Sequence, residues 1–188
     1  MSNTMDIYSV KVDSNKSQWL MPQVDKEEIL DYTAFDCEPK LASWQQKEWY
    51  SFNPKSFEGN FYSIGSNGAF AFDKSVYDSD LFTLLEMSGE ILPVNLAGKE
   101  VYIINVLECV NALDENSTKW DIYDDGSRGR ILDYTFHKDR VSESTLFKIP
   151  QTSKSEILTY SGIKDEYDEF MRLYQKLGFT GLVFDKLT

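Results

Sequence analysis

The sequence predicts an α+β protein: a mainly antiparallel sheet flanked by at least two helices in a single domain. Three observations predict it. The densest apolar run, Ile91 to Ser117 (ILPVNLAGKEVYIINVLECVNALDENS), breaks at Ala97-Gly98-Lys99 and again in the polar NALDENST of Asn111 to Thr118. Two strands with a tight connection and a polar exit have that pattern. Helical spacing of apolar residues occurs at Tyr77, Leu81, Leu84 and Leu85, and again from Ile163 to Leu177. Other apolar residues fall in short runs of strand length. A chain of 188 residues can bury roughly 70% of its unfolded surface, so residues 1–188 read as one domain.

Met5 to Val12 alternates well enough for a first strand. Gln18 to Asn60 is broken by Pro22, Pro39 and Pro54, which predicts short strands and loops packed over the sheet by Trp19, Trp44, Trp49 and Phe52. Gly65 to Gly68 (GSNG) lacks the Lys and Ser/Thr of a phosphate-binding loop and reads as a turn. Ser75 to Asp78 fits a capping box opening a helix that Gly89 ends. Ile91–Leu96 and Glu100–Val106 then form a β-hairpin. Val101-Tyr102-Ile103-Ile104 is apolar on both faces, which predicts a central strand covered on both sides.

A third strand is expected through Leu107 to Ala112, and a loop at Trp120 to Arg130 (WDIYDDGSRGR). Ile131 to His137 alternates, with Leu132, Tyr134 and Phe136 on one face. Leu146–Ile149, ended by Pro150, and Ile157–Tyr160 read as short strands. The last helix carries Ile163, Tyr167, Phe170, Met171, Tyr174 and Leu177 on one stripe, acids toward its N-terminus, and Gly178 as its stop. Leu182–Phe184 closes the chain as a strand.

Charge narrows the function classes. The 31 acidic and 19 basic residues give a net −12, which opposes direct nucleic-acid binding and suits solubility or a basic partner. Cys37 and Cys109 lie far apart and form no CxxC; two reduced thiols are the default reading, with a disulfide left open. No signal-peptide pattern and no apolar run long enough for a membrane span is visible, so a cytoplasmic protein is expected.

Motifs for chemistry are missing. His137 is the one histidine, with Thr135 and Asp133 at two-residue spacing, and reads as structural or surface. Asp121 to Gly126 (DIYDDG) imitates the start of a calcium loop, but Tyr123 and Leu132 stand where oxygen ligands are needed. Paired carboxylates are plentiful and none is singled out. The expectation is a protein that is not an enzyme and needs no metal or cofactor. The alternative is a small hydrolase or transferase using acidic residues or His137.

The order LPV, a short Gly-containing turn, a Tyr-rich apolar strand, then Asn-Val and Ala-Leu-Asp, beginning over Ile91 to Leu113, resembles immunity family eleven of the bacterial polymorphic toxin systems, typified by myxobacterial immunity proteins. Phe35-Asp36-Cys37-Glu38-Pro39 followed by Trp44 resembles the family's Gly/Pro segment leading to a Trp, with Cys37 where members often have Gly. Phe70–Leu85, Ile131–Phe136, Leu146-Phe147-Lys148-Ile149-Pro150 and Leu177-Gly178-Phe179-Thr180-Gly181-Leu182-Val183-Phe184 are similar to its later elements. The likeness is clearest over residues 33–187; residues 1–32 form an N-terminal strand and extension.

The resemblance implies an α+β protein that neutralises the toxin encoded beside it by stoichiometric binding, with no catalytic residues to carry over. Its partner would be a toxin domain with a basic surface; stoichiometry and oligomeric state stay open. The contact surface expected is the acidic loop after Ala112, where Asp114, Glu115, Asp121, Asp124 and Asp125 accompany Trp120 and Tyr123. Carboxylates there would pair with Lys or Arg, and the aromatics would supply buried anchors.

Overall fold

The computed structural model describes residues 5–56, 58–65, 68–162 and 164–188. Strand β1 (Asp6–Val12) is followed by β2 (Leu20–Pro22), a short helix α1 (Ile29–Thr33) and β3 (Glu48–Ser51). Next come β4 (Phe61–Tyr62), β5 (Ala69–Asp73), and helices α2 (Lys74–Tyr77) and α3 (Leu81–Ser88). The apolar run forms β6 (Gly89–Leu96) and β7 (Lys99–Val106). Beyond it lie β8 (Lys119–Ile122), β9 (Arg128–Asp133), β10 (Leu146–Phe147), β11 (Ile157–Ser161), α4 (Phe170–Lys176) and β12 (Leu182–Lys186).

The fold is α+β and mainly antiparallel, as predicted, but the strands form three sheets instead of one. A six-stranded sheet runs β2-β3-β6-β7-β5-β4, a four-stranded sheet runs β10-β11-β1-β12, and β8 pairs with β9 alone. Only the β3–β6 contact among these ladders is parallel. The β6–β7 hairpin pairs residue for residue from Gly89↔Val106 to Leu96↔Lys99. Its two-residue turn, Ala97-Gly98, has both φ angles positive, at 50° and 86°. That geometry matches the right-handed twist of the strands it joins.

Strand β7 is central and covered on both faces. Ile104 and Val106 join Phe61, Phe70, Phe72, α3 and α4 in a core that also receives Val10, Leu146, Ile157 and Leu182 from the second sheet. Val101 and Ile103 face the opposite way, onto Leu92, Val94, Tyr32, Phe35 and Trp49. A third cluster lies on the other face of the four-stranded sheet, built on Ile7, Phe147, Leu158 and Tyr160 with Ala112, Leu113 and Phe136. Gly89 is forced by a close approach. A Cβ there would sit 2.0 Å from the Asn105 carbonyl oxygen.

Several local expectations need correction. Asp73, not Ser75, caps α2, its Oδ1 accepting from the Val76 amide at 3.1 Å. The helix breaks after Tyr77, and Ser79 Oγ accepts the Leu81 amide at 3.2 Å to restart it as α3. Leu107 to Ala112 makes no regular strand, only a parallel bridge of Cys109 with Lys148. The stretch Trp120 to Arg130 is most of a β-hairpin, not a loop. Strand β9 ends at Asp133, and Leu132 faces solvent apart from the stacked Tyr134 and Phe136.

The last helix is shorter than its stripe suggested. Ile163 lies outside the described residues, and 165–168 form a turn in which Asp165 Oδ1 accepts the Tyr167 amide at 3.2 Å. Such side-chain to backbone bonds compete with helix. Of the four aromatics expected over the sheet, Trp49 is buried and Trp44 is half-buried, its Nε1 donating to the Pro93 carbonyl at 2.9 Å. Trp19 and Phe52 instead face solvent, their rings 5.8 Å apart. The turn reading of Gly65 to Gly68 rests on φ values of 78° and 93° at its two glycines; Ser66 and Asn67 lie outside the described residues.

Ala97 holds a backbone conformation that an alanine side chain disfavours. Ala97→Asn, giving the Asn-Gly pair such turns prefer, should stabilise the fold by about 0.5–1 kcal/mol. A thermal melt should show the midpoint rising by roughly 1–4 °C; an unchanged or lower midpoint would remove the turn from the account of hairpin stability.

Candidate functional site

The expected acidic surface is carried by β8 and β9, which stand apart from the two larger sheets. Its root is Asp114. The Asp114 amide donates to the Thr135 carbonyl at 2.8 Å, and the His137 amide donates to the Ala112 carbonyl at 2.8 Å. Asp114 Oδ1 accepts the Asn116 and Ser117 amides at 3.1 and 3.3 Å, and Oδ2 accepts from Ser117 Oγ at 2.8 Å. These bonds hold its carboxyl below the usual range, led by the Ser117 hydroxyl. His137 Nε2 lies 3.9 Å from Asp114 Oδ1, beside this turn.

Glu115 is also engaged. It accepts from Gln151 Nε2 at 2.9 Å and from Arg128 Nη1 at 2.8 Å, and both donors lower its pKa. Trp120 folds back onto the third core cluster, and the Arg128 guanidinium sits 5.1 Å above its ring. Asp121 faces Arg130 at 3.9 Å. At the tip, Asp125 Oδ1 accepts from Ser127 Oγ and the Ser127 amide at 2.6 and 2.9 Å, which lowers its pKa. Gly126, with φ 82°, completes the turn.

Two of the seven expected residues, Tyr123 and Asp124, are exposed with no hydrogen bond or ion pair from their side chains among the described residues. Tyr123 is 58% exposed, its ring resting on Gly129, where a Cβ would lie 2.8 Å from the Tyr123 Cζ. Ile122 beside it is 57% exposed, and Leu132 on the neighbouring strand is 55% exposed. Lys119 is taken by Asp133 at 2.7 Å. The surface is therefore less acidic than its sequence suggested: Asp114, Glu115, Asp121 and Asp125 hold the hairpin together, while the tip offers an apolar and aromatic patch with one open carboxylate.

The inner flank of the hairpin borders a cleft of about 650 Å³ between β1, β5, β9 and residues 151–157. Arg130, Tyr134, Glu156 and Lys11 line it. Tyr134 donates to Glu156 Oε2 at 2.7 Å, and burial, then Glu156, raise the Tyr134 pKa. Lys11 is held by Asp185 at 2.8 Å. Ser153, which lines it, and the following Lys154 have φ of 52° and 57°, a conformation that costs energy for non-glycine residues. No group of three or more metal-ligating side chains occurs among the described residues.

A further cluster escaped the sequence reading. Lys148 is completely buried, and its Nζ donates to the Phe35 carbonyl at 2.8 Å. Burial lowers its pKa, opposed by neighbouring Cys37 and Asp36. Beside it the Cys37 and Cys109 thiols are neighbours, and burial pushes Cys37 up to about 11. Cys37 has φ 67°. Linear spacing carried no sign of this grouping, because Lys148 follows β10 among apolar neighbours and its partners are distant in sequence.

The depressed Glu115 carboxyl fixes a sign for pH dependence. Its folded pKa lies below the ordinary 4.5, so its contribution to stability is full above that value and is lost as pH falls through the folded pKa. Glu115→Gln should therefore flatten the decline of the thermal midpoint between about pH 5 and pH 3. Parallel wild-type and variant curves would show that Glu115 does not tie the hairpin down. Comparison of the chain with family models and with characterised proteins finds no match.

Proposed function

We propose that this protein is an immunity protein that binds and neutralises a bacterial toxin by stoichiometric contact, using the tip of the β8–β9 hairpin. The observation that carries the proposal is the exposed Ile122-Tyr123-Asp124 step on a hairpin braced by Asp114, Glu115 and Asp125. Apolar and aromatic side chains on a pre-organised support lose little entropy on binding, and Tyr is a frequent hot-spot residue. Asp124 adds an open carboxylate for a partner's Lys or Arg.

Charge supports a basic partner. A net charge of −12 attracts a cationic surface from a distance and speeds encounter. A toxin that acts on nucleic acid carries such a surface, and an acidic inhibitor would act where the two meet, in the cytoplasm. No helix among the described residues is long and apolar enough to cross a membrane. The family resemblance gains support from Cys37: members often have glycine there, and φ 67° lies in the region that favours glycine.

The test is co-expression with the C-terminal domain of the secreted protein encoded by the adjacent gene. The expected outcomes are restored growth and a co-purifying complex. Tyr123→Ala combined with Asp124→Lys should weaken that complex by about 30-fold or more, while Glu86→Lys on α3 leaves it unchanged. Asp125 is left intact, because reversing it would unmake the turn. Failure to rescue growth would overturn the immunity reading. Rescue with an undiminished double variant would move the contact surface away from the hairpin.

A further inference from the structure

The strongest unassigned cluster in the molecule is the one around Lys148. Cys37 lies between α1 and β3; Cys109 lies in the irregular segment after β7. Neither is part of a regular element, yet three contacts bring them to one place. Lys148 Nζ reaches the Phe35 carbonyl at 2.8 Å, two residues before Cys37. The Lys148 amide donates to the Glu108 carbonyl at 2.8 Å, and the Val110 amide donates to the Lys148 carbonyl at 2.9 Å, bracketing Cys109. The two thiols, both free and half-buried, thereby become neighbours that interact with each other.

The backbone at Cys37 is a second, separate sign. Its φ of 67° lies where a side chain with a Cβ is disfavoured, and such conformations persist where surrounding contacts impose them. Here that conformation falls at the residue whose thiol neighbours Cys109.

We infer that Cys37 and Cys109 are a redox-active dithiol that closes to an intramolecular disulfide with a low-molecular-weight disulfide such as oxidised glutathione. One thiolate attacks the oxidant, forming a mixed disulfide and releasing one glutathione thiolate. The second sulfur attacks the mixed disulfide, forms the Cys37–Cys109 bond and releases the other. The two thiol protons leave on the two molecules of reduced glutathione; the protein is oxidised by two electrons and the oxidant is reduced by two. Lys148 favours the thiolate at Cys37, whereas burial opposes it more strongly. The bond would fasten the segment carrying Phe35 to the chain leaving β7 on its way to the Asp114 turn.

The experiment treats the native full-length chain with oxidised glutathione and reads intact mass, a non-reducing peptide map and the thermal midpoint. The expected product has lost two hydrogens, carries no glutathione, and yields a cross-linked peptide pair containing Cys37 and Cys109. Its midpoint rises by roughly 5–10 °C, because the bond closes a long loop, and dithiothreitol reverses the change. Cys109→Ser should give instead a glutathione adduct on Cys37 or no reaction. Persistent glutathione adducts on the wild type, disulfide-linked dimers, or thiols that react only in urea would each overturn the inference. The readout does not depend on any toxin, so it stands or falls apart from the immunity proposal.

Discussion

Pairing of β6 with β7 is the constraint on which the rest of the structure depends. The eight-residue register places every apolar side chain of β7 on one of two opposed cores, and a slip by one residue would exchange the faces. Ile104 and Val106 would then leave Phe70, Phe72, α3 and α4, while Val101 and Ile103 would leave Trp49 and Tyr32. The turn at Ala97-Gly98 fixes the register at one end, and the close approach of Gly89 to Asn105 fixes it at the other. Strands β5 and β3 add to the two flanks of this pair.

Polar groups tie the neighbouring layers to that hairpin. Buried Asn105 on β7 donates to the Glu38 carbonyl at 2.9 Å and to Glu90 Oε2 at 3.2 Å. Glu90 in turn accepts the Lys40 amide at 2.7 Å. Ser88 at the end of α3 accepts the Leu146 amide at 3.3 Å and so joins the second sheet to the first. Lys148 performs the same task one residue beyond β10, crossing to Phe35. Buried polar groups are costly unless partnered, so these bonds make the relative placement of the sheets specific as well as stable.

What could be read from the sequence follows from these physics. The β6–β7 hairpin, the central position of β7, strands β1, β10, β11 and β12, and the stripe of α3 were legible because burial imposes a period on apolar residues. Two kinds of feature were not. Helix ends depended on which nearby polar side chain captured a free amide, as Asp73 did ahead of Ser75 and Asp165 did within the expected last helix. The β8–β9 hairpin was hidden by polar strands that bury one side only, with Trp120 and Ile131 turned inward among charged neighbours. Most of the acids expected to meet a partner also have partners within the chain, and these were not legible because Ser117, Gln151, Arg128 and Ser127 come within reach only once the hairpin has formed.

The picture that results is a scaffold locked through β7 and a peripheral hairpin, held mainly by side-chain hydrogen bonds, that presents Ile122, Tyr123 and Asp124. Its most direct test is native-state amide hydrogen exchange across the chain. Amides of Val101 to Val106 should exchange only through global unfolding, while those of Lys119 to Asp133 should exchange through local opening at a much smaller free energy. Equal protection of the two hairpins, or slower exchange in β8–β9 than in β7, would contradict the account.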